Sequence, residues 1–271
     1  MTTSLLFIVL FAALLHAGWN ALIKAGPDKS RDAALVSAAA AVIAAVILPF
    51  VPLPAAACWP YVLGSATIHV AYYALVGAAY RRGDMSFAYP LMRGLPPLLV
   101  ALASGPLIGD SLPFGAWAGI LCLCGGVLSL LSLRRAPGGA ALLNALVIAS
   151  YTIIDGVGVR LSGQAFSYTL WVFLLGGIPL AAWAARDPGF FVYARQRAVP
   201  GLLGGIGTLA AYSLVLWAMT KAPVAMVAAL RESAILFGTA ISAVVLKEKI
   251  GWNRAVAAVM VTLGAILLRL A

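Results

Sequence analysis

Residues 85–97 read Met85-Ser86-Phe87-Ala88-Tyr89-Pro90-Leu91-Met92-Arg93-Gly94-Leu95-Pro96-Pro97 and lead through an apolar run to Gly109-Asp110. An arginine lies about eight residues into a membrane-length segment, flanked by Pro90 and by Pro96-Pro97. The pattern returns. Seventeen residues separate Arg93 from Asp110, and seventeen separate Arg231 from Glu248 (110 − 93 and 248 − 231). The two copies are offset by 138 (231 − 93 and 248 − 110), and at that offset Gly126 falls on Gly264. A fixed offset of this kind marks an internal repeat, and it organises the whole chain.

Outward from this stretch, apolar segments alternate with short turns. A helix crossing ~30 Å of hydrocarbon needs about 20 apolar residues. Ten segments meet that need: 4–23, 33–51, 60–80, 85–107, 113–133, 140–159, 168–185, 200–219, 222–246 and 251–270. The expected fold is therefore all-α and polytopic, with ten transmembrane helices. Residues 1–135 form one five-helix repeat and residues 136–271 the other. An odd number of helices per repeat makes the second enter from the opposite side, which gives the inverted repeat typical of transporters.

Of 271 residues, 63% are hydrophobic and 10% charged, against roughly 25% charged in soluble domains. Lipid must cover the excess. The net charge of +10 is spread singly and in pairs between apolar runs, which suits loop anchoring and disfavours nucleic acid. Cys122 and Cys124 lie inside an apolar run with no second pair or nearby histidine, so they read as packing residues and no metal or cofactor is expected. Met1-Thr2-Thr3-Ser4 offers no basic leader region, so the first segment is expected to stay in the mature protein. There is no G-x-S-x-G, H-E-x-x-H or Walker A sequence, and an enzyme or ATP-driven pump is not expected.

The chain resembles the drug/metabolite transporter superfamily, of the ten-helix EamA-like kind. The residues that carry the likeness are Leu15-His16-Ala17-Gly18-Trp19-Asn20-Ala21-Leu22-Ile23-Lys24, Arg82-Gly83-Asp84-Met85-Ser86, Tyr89-Pro90-Leu91-Met92-Arg93 and Gly109-Asp110-Ser111-Leu112. Tyr151-Thr152-Ile153-Ile154-Asp155-Gly156 and Leu246-Lys247-Glu248 extend it through the second half. Asp110 departs from the glutamate usual in the family. The resemblance implies a central cavity lined by helices 1, 3, 4, 6, 8 and 9, a bacterial inner-membrane location, a bias toward export and cytoplasmic termini.

Ionisable side chains inside a membrane cost at least ~2.5–3.5 kcal/mol at the bilayer centre, so each is a functional candidate. Arg93 leads, as an anion-binding guanidinium sharing a helical face with Tyr89. Arg93→Ala is expected to abolish transport with insertion and folding intact. Arg231 and Glu232 are its counterparts in the second repeat. Asp155, one turn after Tyr151, reads as an amine seat or a proton carrier, with a structural salt bridge to Arg93 or Arg231 as the competing role. His16, Asn20 and Lys24 make a polar stripe beside Trp19 on helix 1. Asn20, Trp19 and Lys24 are candidate lining residues, and His16 reads as a core histidine. Tyr73 and Tyr212 fall mid-segment, where a hydroxyl needs a partner. Gly115-x-x-x-Gly119 and Gly201-x-x-x-Gly205 serve close helix approach, the first also as a candidate dimer contact.

The functional expectation is a secondary active transporter of a small polar or charged metabolite, such as an amino acid or organic anion. It works by alternating access as a monomer or homodimer in the lipid bilayer, with protons as a candidate coupling ion. The alternatives are a flippase for lipid-linked sugars or phospholipids, and a non-transporting membrane scaffold. Orientation is in conflict. Of 18 Lys and Arg, thirteen lie after odd-numbered helices and three (Arg160, Lys221, Arg269) on the other face. The positive-inside rule then places both termini outside, against the family expectation.

Overall fold

The structure is a computed structural model that describes residues 1–82, 85–131, 139–244 and 251–271, with side chains at all of these except 73–74, 76–82, 85–87 and 242. Among the described residues there are α-helices and two short 3₁₀ turns and no strand. The helices are α1 (Thr3–Lys24), α2 (Lys29–Ile47), α3 (Trp59–Arg82), α4 (Met85–Gly94), α5 (Pro96–Ile108), α6 (Phe114–Leu128) and α7 (Gly139–Ser162). They continue with α8 (Ala165–Ala184), α9 (Phe190–Gln196), α10 (Ala198–Met219), α11 (Val224–Arg231), α12 (Ala234–Val244) and α13 (Trp252–Leu270). Among the described residues, eight segments are long and apolar enough to span a membrane; α6, at 15 residues, is shorter.

Two expected helices are each broken in the middle. The segment 85–107 divides into α4 and α5 at Leu95, because Pro96 and Pro97 lack the backbone donors that would continue the ladder. The segment 222–246 divides at Glu232-Ser233. There the amides of Glu232, Ser233, Ile235 and Leu236 each bond to the carbonyl three residues back, so the chain tightens into 3₁₀ turns. No proline marks this second break. The two restarts, Pro96 and Ala234, are related by the same offset as the repeat (234 − 96). A further correction is α9, a short helix within the expected loop 186–199.

Small residues bring helices together. A Cβ on Gly264 would come within 2.7 Å of the Leu123 amide nitrogen. One on Gly126 would lie 3.1 Å from the Ala257 carbonyl oxygen. The helices α6 and α13 therefore touch at their backbones, as small residues allow. Cys122 Sγ donates to the Met260 carbonyl at 3.3 Å, again a separation of 138. Gly119 is packed against Gly264 and Leu268 of the same chain, which leaves that glycine no room for the expected dimer contact. Gly201 and Gly205 lie against Leu35 and Ala39 of α2.

Ion pairs tie the two ends of the bundle. On the face where α1 ends, Arg31 Nη2 meets Asp187 at 2.7 Å and Arg197 Nε meets Asp32 at 3.3 Å. On the opposite face Asp110 binds Arg160 through two bonds of 2.8 and 3.2 Å and accepts the Val224 amide at 2.8 Å. Arg160 also donates to the carbonyls of Met219 (2.9 Å) and Ala222 (3.1 Å), so one arginine joins α7 to the α10–α11 turn.

Candidate functional site

The two helix breaks set the site. Tertiary packing keeps these irregular turns inside the bundle, where unwound backbone is tolerated because it meets protein or a cavity and never lipid. Arg93, at the end of α4, reaches across to Glu232, which lies in the turn after α11: Nε to Oε2 is 2.8 Å. Glu232 is 3% exposed and the Arg93 side chain 14%. Arg231 approaches the other oxygen of the same carboxylate, with Nε 3.6 Å from Oε1, too far for a hydrogen bond. Its side chain is 7% exposed, and its Nε has no hydrogen-bond partner among the described residues. The next hydroxyl, Ser233 Oγ, is also buried without one among the described residues.

Two guanidinium groups therefore share one carboxylate, and the cluster carries one net positive charge. An unpaired buried donor costs about 1–3 kcal/mol, more for a charged group, so such a group persists where function needs it. His16 is in electrostatic contact with both arginines and stands edge-on to Trp19, with centroids 5.0 Å apart. Tyr89 is in electrostatic contact with Arg93 and Glu232 and its residue surface is 39% exposed.

A second centre forms around Asp155 on α7, which is wholly buried. It accepts hydrogen bonds from Tyr168 Oη of α8 at 2.8 Å and from Tyr212 Oη of α10. Ser65 of α3 is a third hydroxyl donor in reach. The competing expectation of a salt bridge from Asp155 to Arg93 or Arg231 is corrected: Arg93 is taken by Glu232, and tyrosine hydroxyls satisfy the aspartate. Tyr151 lies between the centres, in electrostatic contact with Arg93, Arg231, Asp155 and Glu232. Its ring is 4.3 Å from His69 and 6.0 Å from Tyr72, which makes an aromatic wall continuous with Tyr212 and Phe173.

Of the remaining candidates, Trp19 meets the cluster through His16. Asn20 is exposed and donates back to the carbonyl of His16 at 2.7 Å. Trp19 packs its Cβ on Gly207 of α10, and its Nε1 is buried without a partner among the described residues. Lys24 is the exposed last residue of α1, roughly two turns beyond His16. The side chain of Tyr73 and the residues Asp84 and Glu248 lie outside the described residues. Removal of Arg93 would strip Glu232 of its closest counter-charge.

Sequence reasoning passed over Tyr168, Ser65 and Arg160. Tyr168 opens a helix, where tyrosine ordinarily anchors at the membrane interface, and Arg160 reads as one more loop charge. A signal did exist for Tyr168: the buried carboxylate of Asp155 requires donors, and hydroxyls serve as well as cations.

Residues 139–270 match the EamA-like transporter family. The match spans the second half of the chain and is a similarity to that family over those residues. One solved crystal structure, 19% identical, aligns over 100% of this chain and 98% of its own with a TM-score of 0.72, which extends the shared fold to both halves. No curated protein matches the sequence. The helix lengths and the family match together support a multi-pass membrane protein.

Proposed function

We propose that this EamA-like protein is a secondary carrier of a small metabolite with an anionic head, and that the substrate sits at the two helix breaks. The observation that carries the reading is Arg231, a buried guanidinium whose Nε has no partner among the described residues, beside a carboxylate already held by Arg93. A carboxylate, phosphate or phosphonate would supply the missing acceptor through charge-assisted bonds. Asp155 offers a complementary seat for an amine or a proton, and zwitterions such as amino acids suit that combination. Tyr89, Tyr151, Tyr212, His16 and Trp19 would line the path.

Alternating access follows from the arrangement of ties. Asp110 and Arg160 fasten the face where the termini lie, whereas the partly exposed Tyr89 stands one helical turn before Arg93. The substrate would enter past Tyr89 and leave once the Asp110–Arg160 tie parts. The recurrence of one offset in the helix restarts and in the Cys122–Met260 contact supports two halves related by a two-fold axis. The family resemblance favours export from a bacterial inner membrane.

The test is flux into proteoliposomes from a panel of labelled amino acids, organic acids and phosphonates, with a fluorescent phospholipid as control. Flux of at least one anionic metabolite is expected. Movement of the phospholipid alone would establish the flippase reading instead.

A further inference from the structure

Asp155 is fully buried behind Tyr168, so any proton it exchanges needs a path, and the side chains around it supply one. Ser65, also fully buried, lies between Asp155 and His69. His69 Nδ1 is 3.2 Å from Ser65 Oγ and 2.9 Å from the Ser65 carbonyl oxygen. The imidazole is less buried than the serine and stacks on Tyr151.

We infer that Ser65 and His69 form the proton path to Asp155, an assignment that rests on the proposed proton role of that carboxyl. The geometry provides a partner for each state of the ring. With the proton on Nε2, bare Nδ1 accepts the Ser65 hydroxyl; with Nδ1 protonated, the N–H donates to the Ser65 carbonyl. Transfer runs in one concerted exchange. The protonated Asp155 carboxyl gives its hydrogen to Ser65 Oγ while Ser65 gives its own to Nδ1. The products are a carboxylate, an unchanged serine and an imidazolium. Loss of the Nε2 proton to water leaves the Nδ1–H tautomer, still held by the carbonyl.

The charged and titratable neighbours are Tyr72 on α3, Tyr151 and Asp155 on α7, Tyr168 on α8, Tyr212 on α10 and Arg231 on α11. The carboxylate left after transfer keeps its two tyrosine donors.

The chain has two histidines, so His16→Asn leaves His69 as the single imidazole. Nitrogen-15 spectra of histidine-labelled His16→Asn protein in nanodiscs, followed across pH, should show His69 titrating in two steps, one of them shared with Asp155. Ser65→Ala should remove the shared step, and Ser65→Thr should restore it. A single-step curve indifferent to Ser65→Ala would overturn the path. The infrared carboxyl band that disappears in Asp155→Asn separates the two claims. If that band does not titrate, the proton role of Asp155 fails and the path with it. If it titrates while His69 does not respond, only the path fails.

Discussion

Arg93 and Glu232, drawn from opposite halves of the chain, meet at 2.8 Å where two interrupted helices face each other. Breaking a buried pair from one side costs about 3–5 kcal/mol, because the survivor keeps its desolvation penalty without its partner. Glu232→Gln should therefore lower the melting temperature in detergent clearly, since it leaves two buried guanidinium groups with no carboxylate. The double variant Arg93→Met/Glu232→Met should recover part of that loss, since Arg231 alone then lacks a carboxylate. Additive losses in the double variant would show that the two residues do not act as a pair.

Backbone contact between α6 and α13 predicts unequal costs for two chemically identical changes. Gly264→Ala places a methyl 2.7 Å from the Leu123 nitrogen and 2.8 Å from the Gly119 oxygen, so the helices must part. Gly18 in α1 has nothing within 4 Å of its would-be Cβ. Gly18→Ala should be neutral or stabilising by about 0.5–1 kcal/mol, the ordinary helix gain. Thermal unfolding of the two variants, compared at equal detergent concentration, tests this directly. Equal melting temperatures would contradict it.

Asp187 supplies a pH signature outside the membrane. The Gly189 amide and then Arg31 hold its carboxyl below the usual carboxylate range. A carboxyl whose folded value is lowered contributes stability that is present above its unfolded value of about 3.9 and is lost as pH falls through the folded one. The wild-type protein should exceed Asp187→Asn in stability by a constant margin at neutral pH, and the margin should close only in strong acid. A margin that grows on acidification would contradict the sign.

Orientation is decided by a cytoplasm-dependent reporter on either terminus. The bias of thirteen basic residues against three predicts that both termini lie outside the cytoplasm. Reporter activity at the C-terminus would refute that reading and support the family expectation.

Much of the fold is legible in the sequence. Periodicity and segment length identify the helices, because a membrane leaves the backbone few other choices. The offset found from Arg93, Asp110 and Gly126 reappears in the helix restarts and in the Cys122–Met260 contact. The partners of the charges are not legible. Arg93 has three candidate partners, Asp155, Glu232 and a bound anion, and sequence alone does not choose among them. The second helix break is hidden for a related reason: without proline, the tight turn at Glu232-Ser233 is imposed by packing and by the reach of Glu232 toward Arg93. Asp155 stands out as a buried carboxylate, but Tyr168 does not, since its hydroxyl comes from a residue that opens the next helix.

The central claim is that Arg231 is the anion seat, and it is tested most directly by Arg231→Gln. Flux of the compound carried by the wild type should fall to the level of protein-free liposomes. The melting temperature should hold or rise, because the substitution removes a buried donor that lacked a partner among the described residues. Wild-type flux through Arg231→Gln, from protein reconstituted in equal amount, would contradict the account.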